Sequence, residues 1–183
     1  MSPEAGVRRL NWGCGTNPDP GWVNSDIKED PAVEVTADIL EGLPLEAGSF
    51  DYAVSIHALP ELKYPDQVPA LMELRRVLAP EGVLRLALPD LDRAIRAYRE
   101  DDRDYFLVPD SDARATGSKM IVQLLWYGYS KTLFTYDFIA ELLERAGFRD
   151  VQRCEYRQTA SRFPEIVSLD NRPEESLFVE ARK

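Results

Sequence analysis

Short apolar runs alternate along the chain with segments in which apolar residues recur at helical spacing. The apolar runs are bounded by turn residues, as buried parallel strands tend to be. Strands are therefore predicted at residues 7–12, 22–27, 33–37, 52–57 and 83–88, with two later strands at 151–157 and 176–181.

The helical segments place their apolar residues on one face. They cover residues 65–79, the segment that starts at Leu91, and the stripe from Phe138 to Ala146. Pro80 and Gly82 are expected to end the first helix. Asp90 and Thr135 are the predicted N-caps of the other two, and Gly147 is expected to close the third.

Strands that alternate with helices indicate an α/β layered domain. A chain of 183 residues has the length of one domain. We expect the single domain, residues 1–183, to comprise a core (7–99), an acidic excursion (100–112), an aromatic lid or acceptor segment (117–134), and a C-terminal helix with a strand pair (135–183). The lid segment is expected to start as a helix, and residues 163–175 to form a proline-containing loop.

The motif LNWGCGTNPDPGW at residues 10–22 is the sharpest local feature. The first strand runs into Gly13-Cys14-Gly15, where missing Cβ atoms let the backbone approach a ligand closely. In open α/β sheets, small ligands sit beyond the carboxyl ends of the strands. A sharp turn without a ligand is the alternative interpretation, because a single Gly-x-Gly is weak evidence.

Two aspartates follow the next two predicted strands. Asp26, at the end of the second strand, can accept hydrogen bonds from both hydroxyls of a ribose. Asp38, after the third strand, can accept from an adenine amino group while Ile39 or Leu40 covers the ring. The alternative for Asp26 is a turn role, and the alternative for Asp38 is a helix-cap or turn role.

The spacing of these residues restricts the ligand. Only nine residues, 13–21, separate the first two strands, whereas a parallel crossover normally needs a dozen or more. The first crossover helix is therefore expected to be missing or very short. A nicotinamide fingerprint needs a third glycine and a helix N-terminus for the pyrophosphate, so the pattern favours a ligand without phosphate.

Taken together, the motifs resemble those of the class I S-adenosylmethionine-dependent methyltransferases, in the group with the type-11 methyltransferase domain. The resemblance rests on NWGCGTNPDPGW, NSDI, ADILEGLPLEAGSFDYAVS, ELRRVLAPEGVLRLALPDL, and the ending AELLERAGFRDVQR followed by SLFVEARK. It implies a Rossmann-like, seven-stranded, mostly parallel sheet with an antiparallel terminal strand, and S-adenosyl-L-methionine as cofactor.

The resemblance also implies which residues bind the cofactor. The glycine turn would line its methionine and ribose part, the two aspartates its ribose and adenine, and the end of the fourth strand the floor beside the sulfonium. The cofactor-binding residues expected on this basis are Gly13, Cys14, Gly15, Asp26, Ile27, Asp38, Ile39 and Ser55.

Two features depart from the family pattern. The family's run of three glycines is reduced to Gly13 and Gly15, since Gly21 is too distant to replace the third. The loop after the fourth strand often reads Leu-Glu-His in the family, and here it is Leu59-Pro60-Glu61.

His57 is the single histidine of the chain and lies just past the fourth predicted strand. With an ordinary pKa near 6.5 it can act as a general base at neutral pH, and it is the predicted catalytic residue. A base is needed only if the acceptor is a hydroxyl or a protonated amine. A histidine hydrogen-bonded within the loop, or one that contacts the cofactor, is the alternative.

The acceptor side is less well defined by the sequence. Trp126, Tyr127 and Tyr129 cluster beside Lys131 and can pack on an apolar or sugar acceptor, with core packing as the alternative. Asp90 is a second candidate for acid–base chemistry, although helix capping is the simpler role.

Charge and composition narrow the partners. Asp and Glu number 32 against 22 Lys and Arg, for a formal net charge of −10. Such a surface repels nucleic acid and anionic lipid, and no stretch approaches the roughly 18 apolar residues of a membrane span. The start of the chain lacks a signal-peptide pattern. Cys14 and Cys154 suit neither a disulfide framework nor a metal site.

The resemblance, together with the charge and composition, implies a cytoplasmic methyltransferase that uses S-adenosylmethionine and acts on a small-molecule or glycan-related acceptor by in-line methyl transfer. No nucleic acid, membrane or metal is expected, and the oligomeric state stays open. The main alternative is a non-catalytic module that binds S-adenosylmethionine or serves as a scaffold. A nicotinamide-dependent Rossmann enzyme is disfavoured by the missing helix and glycine.

Overall fold

The computed structural model describes residues 6–183, so the first five residues of the expected domain lie outside the description. The strands are β1 (Arg9–Trp12), β2 (Val23–Asp26), β3 (Val35–Thr36), β4 (Phe50–Ile56), β5 (Leu78–Pro89), β6 (Arg149–Cys154) and β7 (Ser176–Arg182). They form one sheet in the order β3-β2-β1-β4-β5-β7-β6, in which β7 runs antiparallel to β5 and β6 and the other pairs are parallel. The expected fold class is thereby confirmed.

The helices of the described residues are α1 (Tyr64–Val77), α2 (Leu91–Arg99), α3 (Thr116–Leu125) and α4 (Tyr136–Arg145), together with short 3-10 turns. Asp90 caps α2 as predicted, because its Oδ1 accepts a hydrogen bond from the Arg93 amide. Thr135 occupies the N-cap position of α4 as predicted, but its hydroxyl donates to Asp137 and makes no capping hydrogen bond. Gly147 follows the end of α4 with φ +89°. None of these helices has the length and apolar character that a membrane crossing requires.

Strand β5 begins five residues earlier than the sequence predicts. Leu78 already pairs with Phe50, and the register resumes at Tyr52 with Val83. Residues 79–82 of β5 bulge out of the strand, and Glu81 has φ +62°. Pro80 and Gly82 therefore lie within a bulge, because the chain passes directly from α1 into the strand without a separate turn.

The link from β1 to β2 contains no helix, and all of its residues are described. The side chain of Asn24, which is 1% exposed, holds this link in place. Its Oδ1 accepts from the Asn11 side chain at 3.0 Å and from the Asp19 amide at 2.9 Å, while its Nδ2 donates to the Asp19 and Trp22 carbonyls. A hydrogen-bonded loop thus replaces the crossover helix, as the residue count predicts.

The two faces of the sheet are covered differently. Apolar residues of α1 and α4 pack with Leu10, Leu86 and other strand residues on one face. On the opposite face Tyr52 and Val54 pack against Phe163 and Ile166. The last two belong to the segment between β6 and β7, residues 155–175, which we call the covering loop. This loop covers a face on which the described residues place no long helix.

A buried ion-pair network fastens the covering loop to the sheet. Arg85 on β5 pairs with Asp170 of the loop at 2.6 Å and with Glu180 on β7 at 2.6 Å. All three side chains are at most 2% exposed. Arg85 also donates to the loop carbonyls of Gln158 and Glu155. The Arg85 guanidinium therefore forms ion pairs with two carboxylates and links β5 to the covering loop and to β7.

Candidate active site

A cavity of about 540 Å³ lies where the carboxyl ends of the parallel strands meet. The terminal residues of four strands line it: Trp12, Asp26, Ile56 and Pro89. Most of the predicted site residues line it as well: Gly13, Cys14, Gly15, Asp26, Ile27, Asp38, Ile39 and His57. The sheet therefore brings together residues from the first three predicted motifs and the loop after β4.

The glycine turn, Gly13 to Gly15, requires the absence of a side chain at its first position. Gly13 has φ +67°, and its amide donates to the Ser25 carbonyl at 2.7 Å. A Cβ built at Gly13 would lie 2.2 Å from the Cβ of Ala58. The turn therefore packs closely against the loop that follows β4. Gly15, by contrast, has φ +52° and open space at its Cβ position.

Asp26 is directed at the glycine turn. Its Oδ2 accepts from the Gly15 amide at 2.8 Å, and its Oδ1 accepts from the Lys28 amide at 2.9 Å. A carboxylate offers about four acceptor positions, so each oxygen retains capacity for one further donor. The cradle at Gly13 and this carboxylate fit the sugar and methionine part of S-adenosylmethionine.

Asp38 caps a short 3-10 helix, because its Oδ1 accepts from the Leu40 amide at 2.9 Å. Asp38 therefore has the helix-capping role that the sequence offered as its alternative, and it also lines the cavity. Ile39 is buried and Ile27 is 63% exposed, and both contribute apolar surface to the same wall. The adenine contacts assigned to them stay predictions.

Ser55 does not line the cavity. Its side chain is 1% exposed, and its hydroxyl has no hydrogen-bond partner among the described residues. Side chains alternate between the two faces of a strand, and Ala53, two residues earlier, belongs to the helix-covered core. The expected cofactor contact from Ser55 is not found, and Ile56 and His57 form that part of the wall.

Cys14 is 6% exposed at the centre of the glycine turn. Burial, with a smaller contribution from Asp26, raises the pKa of its thiol to about 11. The thiol is therefore protonated at neutral pH and packs as a small apolar group.

Both ring nitrogens of His57 are engaged. Nε2 lies 2.8 Å from the Ser176 hydroxyl and Nδ1 lies 3.3 Å from the Arg172 guanidinium. Because a guanidinium only donates, Nδ1 accepts and Nε2 carries the proton. Burial, together with the charge of Arg172, lowers the pKa of His57 to about 3. The predicted role as general base finds no support in this geometry, since the lone pair it would use faces Arg172.

The lowered pKa of His57 predicts a pH dependence of stability. Below about pH 6.5 the unfolded chain binds a proton at this residue and the folded protein does not, so stability falls as pH falls from 6.5 toward 3. We expect His57 to account for a loss of about 2 kcal/mol between pH 7 and pH 5. Urea unfolding of wild type and His57→Asn at both pH values measures it. An equal pH dependence in the two proteins would contradict the assignment.

A second wall of the cavity comes from outside the strand ends. It comprises Tyr105, Trp126 and Tyr129, together with Arg172 and Glu175 from the covering loop. The Arg172 guanidinium lies over the Trp126 ring, 5.6 Å from its centroid, and 3.5 Å from Glu175. Three residues of this region, His57, Trp126 and Arg172, have positive φ angles of 57°, 43° and 54°. Such conformations cost about 1–3 kcal/mol each outside glycine and concentrate at functional sites.

Of the second wall, the sequence indicates only Trp126 and Tyr129, and Tyr105 lies in the predicted acidic excursion. Tyr127 differs from its neighbours in not lining the cavity, and its hydroxyl donates to Asp112. Arg172 and Glu175 carry no motif. The only sequence signal for them is the late strand at 176–181, since its pairing with β5 decides where the preceding residues lie.

Comparison with known proteins gives the class. Residues 10–86 match the family described as a methyltransferase domain. A S-adenosylmethionine-dependent methyltransferase of Thermotoga maritima, described as a possible histamine N-methyltransferase, is 19% identical with a TM-score of 0.61, over 96% of this chain and 82% of that one. A second such methyltransferase, from Archaeoglobus fulgidus, is 16% identical with a TM-score of 0.60, over 97% and 87%.

The trans-methyltransferase CalH, solved with S-adenosylhomocysteine, is 20% identical with a TM-score of 0.54, over 97% of this chain and 51% of CalH. At these identities the structures establish the fold alone, and the family match identifies residues 10–86 as a methyltransferase domain. No curated protein matches the chain in sequence. The chain therefore carries a methyltransferase domain over residues 10–86 and has the fold of S-adenosylmethionine-dependent methyltransferases.

Proposed function

We propose that the enzyme methylates a small-molecule or glycan-related acceptor bound against the second wall. The observation that carries this proposal is one cavity, about 540 Å³ in volume, shared by the glycine turn and the second wall. Sites for small molecules usually measure about 300–1,000 Å³. The volume suits a nucleoside cofactor together with a compact acceptor.

The cofactor-binding residues proposed are those that line the cavity beside the glycine turn. Gly13, Cys14 and Gly15 would hold the methionine and ribose part, Asp26 the ribose hydroxyls, and Asp38 with its apolar neighbours the adenine. When bound, S-adenosylmethionine supplies a methyl group already activated by the positive charge of its sulfonium. The chain has to hold the acceptor atom in line and roughly 3–3.5 Å from the reacting carbon.

The departure from the family pattern at Pro60-Glu61 still leaves an ordered wall. The Pro60 carbonyl accepts from the amides of Lys131 and Thr132 at 2.8 and 3.1 Å, which ties this loop to the segment after α3. Glu61 and Lys131 both line the cavity. We infer that this tie fixes the second wall relative to the strand ends.

We also propose that nucleic acid is not the acceptor and that the enzyme is cytoplasmic. The net charge of −10 disfavours a phosphate backbone. Both cysteines, Cys14 and Cys154, are free thiols, which agrees with a reducing compartment.

Replacing Asp26 tests the cofactor site. We expect Asp26→Asn to weaken binding of S-adenosylhomocysteine by roughly 1–3 kcal/mol, about 5- to 150-fold, because one carboxylate oxygen that can accept from the ribose hydroxyls is replaced by an amide NH₂ group. Asp92→Asn, at an exposed position in the first turn of α2, is the matched control and should bind as wild type does. Calorimetry measures both, and equal affinities in the two variants would remove Asp26 from the site.

A further inference from the structure

Glu175 is a buried carboxylate of the cavity whose ion pair with Arg172 is long and is not a hydrogen bond. It is 6% exposed, and its Oε1 accepts no hydrogen bond from the described residues. The closest opposite charge is Arg172 at 3.5 Å, a longer separation than a charge-assisted hydrogen bond. A buried carboxylate is costly unless it is paired and hydrogen-bonded, so its retention in the cavity wall calls for a ligand group.

The position of Glu175 is fixed by the sheet. Its carbonyl accepts from the Asp90 amide at 2.9 Å, and the next residue, Ser176, pairs with Pro89 in the β5–β7 ladder. Ser176 also hydrogen-bonds to His57. The carboxylate is therefore presented by rigid elements, as precise binding requires.

Asp90 differs from Glu175 in being fully paired. One of its oxygens caps α2 and the other contacts the guanidinium groups of Arg153 at 2.8 Å and Arg93 at 3.3 Å. The negative charge of Asp90 is thus compensated from outside the cavity. Glu175 alone of these two carboxylates is available to a ligand.

The charges of the cavity favour a cationic ligand. Seven carboxylates line it against three cationic side chains. The carboxylates are Asp26, Glu29, Asp30, Asp38, Glu61, Asp90 and Glu175, and the cations are Lys28, Lys131 and Arg172. Such an excess concentrates cations and repels anions. Arg172 offers an anion little, because it already contacts His57, Glu175 and the Trp126 ring.

The aromatic residues of the second wall favour the same class of ligand. Tyr105, Trp126 and Tyr129 line the cavity with Glu175, and aromatic faces attract organic cations. Burial, together with the charges of Asp90 and Glu175, raises the pKa of Tyr105 to about 12. Its hydroxyl is therefore a permanent donor near these carboxylates.

We propose that the acceptor is a small protonated amine, and that Glu175 binds its ammonium group and takes its proton before methyl transfer. The inference rests on the proposed function. The ammonium gives one proton to the carboxylate, which leaves a neutral amine and a carboxylic acid. The nitrogen lone pair then forms the new C–N bond as the C–S bond breaks and its electron pair stays on sulfur. The product leaves as a methylated ammonium, and the proton on Glu175 returns to solvent.

Burial raises the pKa of Glu175 above its ordinary value, and the guanidinium of Arg172 offsets part of that rise. The carboxylate is in consequence a stronger base than an exposed one. A raised pKa suits Glu175 as a proton acceptor, because a general base works best when its pKa is closer to neutrality.

The test compares three probes that share a phenyl ring and differ in the head group: benzylamine, benzyl alcohol and benzoate. Calorimetry measures their binding to wild type loaded with S-adenosylhomocysteine. We expect benzylamine to bind at least tenfold more tightly than benzyl alcohol, and benzoate to bind least. Equal binding of the three probes, or a preference for benzoate, would overturn the proposal without any variant being needed.

A pair of neighbouring variants then assigns the preference to one residue. Glu175→Gln keeps the shape and removes the charge, and it should abolish the preference for benzylamine. Glu174→Gln, at an exposed position, is the matched control and should keep it. Retention of the preference in Glu175→Gln would overturn the role of this residue. Failure of wild type to bind S-adenosylhomocysteine at all would instead overturn the proposed function.

Discussion

Replacing Arg85 with alanine is expected to lower the free energy of unfolding by about 3–5 kcal/mol, because one partner of a buried ionic network is removed and the charges it compensated remain. Asp170 and Glu180 would be left as buried carboxylates without a cation. A typical domain is stable by about 5–15 kcal/mol, so this single change removes a large share of the total. Urea unfolding followed by circular dichroism measures the loss.

Two further variants establish the cause of that loss. Arg99→Ala removes an exposed arginine at the end of α2 and should change stability little. Combining Arg85→Ala with Asp170→Asn and Glu180→Gln removes the uncompensated charges and should recover part of the stability. If Arg85→Ala destabilises the protein no more than Arg99→Ala does, the network does not hold the covering loop in place.

Replacing Gly13 with alanine is expected to weaken binding of S-adenosylhomocysteine by roughly 100-fold. The new Cβ would lie 2.2 Å from the Cβ of Ala58, and the residue would keep φ +67°. Overpacking costs about 1–3 kcal/mol and a left-handed conformation about 1–2 kcal/mol. We expect the free variant to relieve this strain by shifting the turn away from Ala58, so that binding has to restore the geometry, and a total near 3 kcal/mol then corresponds to about 100-fold in affinity.

A double variant separates the steric effect from the backbone effect. Gly13→Ala/Ala58→Gly keeps the positive φ at residue 13 and removes the close contact, so it should recover the steric part of the affinity that Gly13→Ala loses. Ala58→Gly alone is the control for the change at residue 58. Equal affinities of Gly13→Ala and the double variant would show that contact with Ala58 does not matter.

The glycine turn and its acids could be predicted because their information is local. A strand that ends in Gly13 and Gly15, and a second strand that ends in Asp26, are readable within a short stretch of sequence. Parallel pairing of β1 and β2 then brings their carboxyl ends together. The missing crossover helix follows from the same stretch by counting residues.

Ser55 shows what a local motif leaves undetermined. The motif places Ser55 at the end of β4, but neighbouring residues of a strand face opposite sides of the sheet. The motif places the end of β4 at the edge of the sheet where the cavity lies. The register of β4 then determines that Ile56 and His57 line the cavity.

Arg172 and Glu175 could not be predicted because their place depends on pairing between distant strands. Ser176 pairs with Pro89, 87 residues earlier, and this contact delivers the end of the covering loop to the cavity. The environment of His57 depends on the same loop, since both partners of its ring, Arg172 and Ser176, come from this part of the chain.

The second wall has two parts, the covering loop and residues 126–129. They differ in how many other contacts a substitution would disturb. In the proposed acceptor site, changes in the covering loop would act on the acceptor wall and on the integrity of the sheet at once, because Asp170 is linked to Arg85 only two residues from Arg172. Residues 126–129 carry exposed aromatic side chains, with Tyr127 and Tyr129 more than half exposed, and take no part in that network. Descendants of this enzyme with new acceptors should therefore vary first at 126–129.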